Sequence, residues 1–361
     1  MEIYIILPAL TLTGPVKGGI ALANFLSTSY STNLVFLKGL SNHRKYLNPK
    51  VNVINLEKYN CLKKFIKLNK LMKIKNNKKK ILLSMCFSAD LYSLLIPNCK
   101  FKISSIRGNL FKNYYYQYGI TGLLLALFHL VIQNFFSLTL VMNKEMYNQV
   151  SFFSKSKIKL IKNFIEENKL KFYFKKEINK SLPLSYIFVG GLNKRKDPLA
   201  LIYAFEKTLD KEDSILHIVG DGPLMNQIKK YITQNQLTKN IIIHGFLDNP
   251  YEIVSKSDVF IMPSHSEGTP RAAMEALFLG VPCILRNVEG NNNLIVNNSI
   301  NGKLFSHDDE LPRIILEVGR ESRNREEREN LLPSSNSQSK VLNCYKELFY
   351  FLKSHEGFRL F

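Results

Sequence analysis

Cysteine is scarce and unpatterned in this chain of 361 residues. Cys61, Cys86, Cys99, Cys283 and Cys344 are an odd number, lie far apart and show no C-x-x-C spacing. That excludes a disulfide framework and a zinc site, and it predicts reduced thiols in a cytosolic compartment. Acidic residues are equally scarce over the first half. Residues 1–180 hold 29 Lys and Arg against 7 Asp and Glu, whereas the remainder holds 21 against 22, so the whole net charge of +21 sits in the first half. Internal repeats and long low-complexity tracts are absent, which excludes a solenoid or a fibrous chain. The opening "MEIYIILPALTLTG" lacks a basic segment and is broken by Pro8; it reads as a first buried strand rather than a signal peptide.

Two stretches bear on membranes. Residues 120–142, "ITGLLLALFHLVIQNFFSLTLVM", carry no Asp, Glu, Lys or Arg and are long enough to span. His129, Gln133 and Asn134 interrupt the run and "FSLTLVMN" has strand character, so a buried helix followed by a strand is expected. Residues 58–80, "KYNCLKKFIKLNKLMKIKNNKKK", place Leu62, Phe65, Ile66, Leu68, Leu71, Met72 and Ile74 at near-helical spacing between lysines. That pattern suits a solvated helix or a basic amphipathic surface resting on anionic lipid, from which salt would release it. No Gly-aromatic motif or recognition-helix pattern accompanies the charge, so nucleic acid is not expected as a partner.

Strand-like runs at 3–7, 33–37, 81–85, 101–106 and 138–142 alternate with helical patterns, and a second set follows at 185–190, 215–220, 241–245, 259–262 and 283–285. Such alternation implies parallel sheets with helices on both faces. Two sets imply two doubly wound α/β domains. The expected division is a first domain over 1–165, a second domain over 166–340, and a helical tail over 341–361 returning to the first. A hinge is expected within 163–183, where the chain is charged and irregular.

Ligand loops in such sheets follow strand C-termini. "KGG" at 17–19 reads as a turn after the first strand. "GGLNKRKDP" at 190–198 sets Lys194, Arg195 and Lys196 between a strand and a helix, where a diphosphate could meet them. "VGDGP" at 219–223 reads as a structural turn. "SEGTPRAAMEAL" at 266–277 changes from loop to helix at Thr269-Pro270, with Thr an apt N-cap, Pro apt for the first helical position and Gly280 apt for the end. Glu267 then precedes a helix N-terminus and Glu275 lies about two turns inside it, so two carboxylates flank an end that attracts phosphate.

Taken together, "VGGLNKRKDP", "LHIVGDGPLMNQI", "IIIHGFLDN", "SKSDVFIMPSHSEGTPRAAMEALFLGVPCI" and "NGKLF" resemble, in order and spacing, the donor domain of family 4 glycosyltransferases of the GT-B fold. The Glu-x7-Glu pair is that family's signature. "IKNFIEE" and "GPVKGGIALANFL" resemble its interdomain connector and N-terminal glycine loop. One departure is Gly191, where many members have Arg, which shifts the phosphate charge to Lys196 with help from Arg195 or a first-domain residue. The resemblance implies that Glu275 holds the ribose of a nucleotide diphosphate sugar, most readily a UDP-sugar, and that Glu267 faces the donor sugar. It makes Glu267 and Lys196 the catalytic residues. Gly19, Gly190, Arg195, Lys196, His265, Gly268, Thr269 and Glu275 would bind the donor. Lys17 and Arg107 would meet the acceptor.

The resemblance further implies retention, no cofactor and no metal, in keeping with the lack of any Asp-x-Asp. A lipid-linked glycan acceptor in capsule, O-antigen or lipopolysaccharide synthesis, at the inner face of the cell membrane, is the corresponding expectation. Two alternatives share the nucleotide site: a sugar nucleotide epimerase, for which no carboxylate and histidine set is evident, and a catalytically silent binding module. The remaining histidines, His43, His129, His217, His244 and His307 among them, form no ligand spacing, and His244 is expected to pack at a strand end.

Overall fold

The structure, a computed structural model, describes residues 1–9, 13–39, 46–73, 79–97, 99, 101–178, 180, 183–296 and 300–354. His43, Ile74 and residues 355–361 of the tail lie outside the described residues. The chain divides into two compact units, Met1–Phe164 with Gln338–Phe361, and Ile165–Ser337.

The first unit contains β1 (Glu2–Leu7), α1 (Gly14–Leu26), β2 (Ser31–Phe36), β3 (Val51–Asn55), α2 (Cys61–Lys73), β4 (Lys80–Met85), α3 (Phe87–Leu95), β5 (Phe101–Ser105), α4 (Leu110–Tyr118), α5 (Ile120–Val131), β6 (Leu138–Val141), α6 (Lys144–Phe153), β7 (Ile158–Leu160) and the last helix, α14 (Gln338–Ser354). Its parallel sheet has the order β3-β2-β1-β4-β5-β6-β7. The central strands β1 and β4 read as near-continuous apolar runs because both of their faces are covered. Ile5 stands opposite Leu34 on one side and Leu83 on the other. Val341, Tyr345, Leu348, Phe349 and Leu352 of α14 join the core beneath this sheet, together with Ile161 and Phe164.

Three expectations for this unit change. Lys17 and Gly19 belong to α1 rather than to a turn, and a Cβ on Gly19 would meet a Leu7 methyl at 2.7 Å and Met85 Sδ at 3.3 Å. That glycine lets the helix lie close on the sheet. In α2, Lys64 is buried while Leu62 and Ile66 are exposed, so the lysines do not all share one solvated face. The third change concerns residues 120–142. β6 is there as expected, but α5 ends at Val131, a 3-10 turn (Ile132–Phe135) follows it, and only one face of α5 is buried. Among the described residues no helix is long and apolar enough to cross a membrane.

The second unit contains α7 (Glu167–Leu170), β8 (Leu184–Val189), α8 (Pro198–Glu206), β9 (Ser214–Val219), α9 (Met225–Gln234), β10 (Ile241–Gly245), α10 (Tyr251–Lys256), β11 (Val259–Met262), α11 (Arg271–Phe278), β12 (Cys283–Arg286), α12 (Glu289–Asn292), β13 (Gly302–Phe305) and α13 (Leu311–Asn324). Its parallel sheet runs β10-β9-β8-β11-β12-β13. Each sheet reverses its strand order once, between β1 and β4 in the first unit and between β8 and β11 in the second. Ligands of open α/β sheets bind outside the strand C-termini at that reversal. The two doubly wound domains expected from the alternation are present.

Candidate functional site

In the second unit the two loops at the strand reversal carry the residues singled out in the sequence. The loop after β8 holds Gly190 to Asp197 and the loop after β11 holds Pro263 to Pro270; a hydrogen bond from His265 N to Arg195 O, 2.9 Å, ties them together. The first loop is shaped by close backbone approach. Gly220 has φ +146°, and a Cβ there would fall 1.8 Å from Gly190 O; one on Gly222 would fall 2.5 Å from Leu192 O. "VGDGP" is therefore structural, as expected: its glycines let the end of β9 press against the cationic loop. Asp197 then starts α8 from a left-handed conformation (φ +47°), accepting from Ala200 N at 3.3 Å and pairing with His265 Nε2 at 2.9 Å. His265 is thus held from both its backbone and its ring.

Glu267 is the centre of the charge cluster. Its Oε1 lies 2.6 Å from Lys196 Nζ and 3.0 Å from Arg195 Nη1, and its side chain is 8% exposed. Arg195 also donates to Ser266 O. Burial works against ionisation of Glu267, yet the Lys196 and Arg195 charges more than offset it and hold the carboxyl below its usual range. Burial likewise pulls the Lys196 ammonium below its ordinary value, against the attraction of Glu267. Lys194 is exposed, so of the three cations in the loop two turn to the carboxylate.

Eight residues on, Glu275 is buried in α11, with Arg271 Nη2 3.7 Å and the Tyr251 hydroxyl 3.4 Å from its Oε1. Burial, then the Glu275 charge, raise the Tyr251 hydroxyl well above its ordinary value, so it stays a donor. The capping expectation is corrected: the N-cap position falls on Pro270, and Thr269 Oγ1 donates to Gly268 O at 2.7 Å. Gly268 and Thr269 are buried at the start of α11. Both glutamates are buried, so neither carboxylate is a solvated surface charge at the helix start.

Sequence reading missed the neighbours of this pair: Tyr251 and Arg271 beside Glu275, Gly290 against the Glu267 backbone, and Asp197, which holds His265. A Cβ on Gly290 would fall 2.3 Å from Glu267 O and 2.8 Å from Gly268 O, so α12 can lie against the loop only with glycine there. A glycine just after a strand-ending loop was the available signal. In the first unit, Arg107 follows β5 as expected and lies within electrostatic reach of Tyr345 on α14 and of Cys86. His217 and His244 face each other, Nδ1 to Nε2 at 3.0 Å. A hydrogen bond between two imidazoles needs at least one of them neutral.

Comparison with known proteins bears on this unit first. Residues 169–331 match the family described as Glycosyl transferases group 1. Over 131 residues the chain is 39% identical to a UDP-Gal:alpha-D-GlcNAc-diphosphoundecaprenol alpha-1,3-galactosyltransferase of Escherichia coli, covering 35% of this chain and 34% of that one. Over 199 residues it is 32% identical to the O-antigen biosynthesis glycosyltransferase WclY of Escherichia coli, covering 53% and 54%. The chain thus spans about a third to about half the length of these curated relatives. Its fold matches that of Anabaena Alr3699/HepE in complex with UDP-glucose, with a TM-score of 0.76 at 16% identity over 98% of this chain and all of that one. The architecture is the GT-B fold.

Proposed function

We propose that the chain is a family 4 glycosyltransferase that moves a sugar, with retention, from a UDP-sugar to a lipid-linked glycan acceptor in cell-envelope polysaccharide synthesis. The observation that carries this is the pairing of the buried Glu267 with Lys196 and Arg195 at the strand reversal, with Glu275 on the adjoining helix. A nucleotide diphosphate gains charge as it leaves, and cations fixed in a covered site stabilise that charge without reorganising. Lys196 and Arg195 take this role, and no metal is needed for it. Without donor, Glu267 pairs with both and offsets one of their two charges. Glu275, an acceptor with two oxygens, holds ribose hydroxyls. The named donor and acceptor of the Escherichia coli galactosyltransferase, UDP-Gal and a diphosphoundecaprenol-linked sugar, belong to the classes proposed here.

The first unit receives the acceptor, with Lys17 and Arg107 as its contacts, and works at an anionic membrane surface on the cytoplasmic side. It holds 28 Lys and Arg against 6 Asp and Glu, an excess that a nucleotide site in the other unit does not use. Each lysine near an anionic surface contributes about 1 kcal/mol. Lys63, Lys70 and Lys73 of α2 are exposed, and replacing them by Glu should lower binding to anionic vesicles at low ionic strength while leaving nucleotide affinity unchanged. Transfer itself is tested by offering radiolabelled sugar nucleotides with lipid extract from the source cell. Label moving into lipid only when both are present supports the reading. Release of free nucleotide and an epimerised sugar without acceptor would replace it by an epimerase.

A further inference from the structure

The helix α5 is amphipathic in the inverted sense. Its inner face is narrow and carries the polar group: Gly122, Ala126, His129 and a single large apolar side chain, Leu130, are buried. A Cβ on Gly122 would fall 2.1 Å from Tyr114 O, so α5 lies directly against α4. His129 Nε2 meets the buried Asp90 carboxylate at 2.7 Å while its Nδ1 meets the Tyr114 hydroxyl at 2.8 Å. Ser104 and Gln133 also donate to Asp90, at 2.8 and 3.4 Å. A polar network thus fixes which way the helix faces, and what it turns outward is apolar. Ile120, Leu124, Leu127, Phe128, Val131 and Phe135 are 39–79% exposed and recur every three or four residues. From Ile120 to Val131 they form one stripe about 17 Å long, at a rise of about 1.5 Å per residue, and Phe135 on the 3-10 turn continues it. A soluble surface of that kind is a site of association.

We propose that this stripe lies in the interfacial region of a lipid bilayer, parallel to its plane, as an apolar anchor distinct from the lysines of α2. The helix is too short to span, since about 20 residues are needed, and it is amphipathic, which suits an in-plane position. Charge selects a bilayer over a second copy of the chain. The unit that carries α5 holds 28 cations against 6 anions, so two such units pressed together would repel, whereas an anionic lipid surface attracts them. No Asp or Glu lies between Glu57 and Glu145 apart from the buried Asp90. At the end of the stripe, Lys155 N donates to Asn134 Oδ1 at 2.7 Å, placing a cationic residue beside Phe135, and Phe152 on α6 is 82% exposed.

This inference goes beyond the proposed transfer reaction, and its test needs neither donor nor acceptor, so its failure leaves that reading standing. The chain has no tryptophan. Phe135→Trp therefore creates a single reporter on the stripe, and Tyr203→Trp, at a 40% exposed position in the other unit, a control. On vesicles of phosphatidylcholine with phosphatidylglycerol, the emission of the Phe135→Trp protein should shift to the blue and be quenched by lipids brominated on their acyl chains; the control should do neither. Flotation at high salt should recover a bound fraction of wild type that Leu124→Glu with Phe128→Glu lowers about tenfold or more. Circular dichroism and nucleotide binding of that variant should match wild type; if they do not, Leu124→Ser with Phe128→Ser takes its place. Vesicle binding without spectral shift or bromine quenching overturns the proposal. So does complete release by salt, and so does a blue shift that grows with protein concentration and needs no vesicles, which would assign the stripe to a second copy.

Discussion

Glu267 and Glu275 carry the same group in two environments, and the difference predicts different losses. Glu275 touches Tyr251 and Arg271 loosely, at 3.4 and 3.7 Å, and has oxygen capacity to offer a ligand. Glu275→Ala should weaken UDP binding by about 1–3 kcal/mol, as for a lost hydrogen bond to a charged group, measured by calorimetry. Lys196 is engaged at 2.6 Å and, in the proposed transfer, would act when charge leaves, so Lys196→Ala should lower kcat more than it raises KM. An unchanged kcat would move the role to Arg195. The Glu267 carboxyl, held low by its two cations, contributes stability that is complete above about pH 4.3 and lost as pH falls through its depressed folded value. Glu267→Gln should flatten that acid limb. The identities of these residues were legible because spacing around a strand end survives in a linear string. Their partners were less so: Tyr251 reaches Glu275 from α10, an element with no spacing relation to it.

At the scale of elements, the loop geometry rests on glycines that pattern reading treated as punctuation. Gly220→Ala must find room where Gly190 O stands at 1.8 Å and must adopt a φ of +146°, so the two strand ends cannot keep their approach. Loss of UDP binding and a lower melting temperature for the second unit are expected, whereas Gly245→Ala, with φ +69° but nothing within 4 Å, should cost only the left-handed backbone. Wild-type UDP affinity in Gly220→Ala would show that the approach is not needed. The same scale explains which strands were read. β1, β4, β8 and β11 are buried apolar runs and stand out; β3 is polar and alternating at a sheet edge, β7 has three residues, and β13 is "GKLF" entered through Gly302. Short edge strands owe their existence to pairing, which a local pattern does not encode. Residues 120–142 failed for a related reason. A strongly apolar sequence reads as buried, and only the fold shows that its polar side, through His129, faces inward.

At the scale of the whole chain, the two units rest on separate cores but not on separate stretches of sequence. The first unit is completed by α14, from the far end of the chain. Val341, Tyr345, Leu348, Phe349 and Leu352 are buried there, and at about 1.5–3 kcal/mol for each large apolar side chain they contribute on the order of 10 kcal/mol, comparable to the whole stability of a domain. Ending the chain after Ser337 should therefore unfold the first unit and leave the second, seen as the loss of one of two calorimetric transitions while UDP still shifts the other. The surviving transition has its own signature. Burial, and then the His244 charge, push His217 down to about 4, so between about pH 6.5 and 4 the unfolded chain takes up a proton there that the folded unit refuses. Stability falls with pH across that window by on the order of 1 kcal/mol, after allowance for the partial exposure of the ring. His217→Gln should remove the fall from the UDP-responsive transition in both the full and the shortened chain. A fall of the same size in the variant would assign the proton to another group, and its loss in the full chain alone would mean that the pair does not belong to the second unit's own stability.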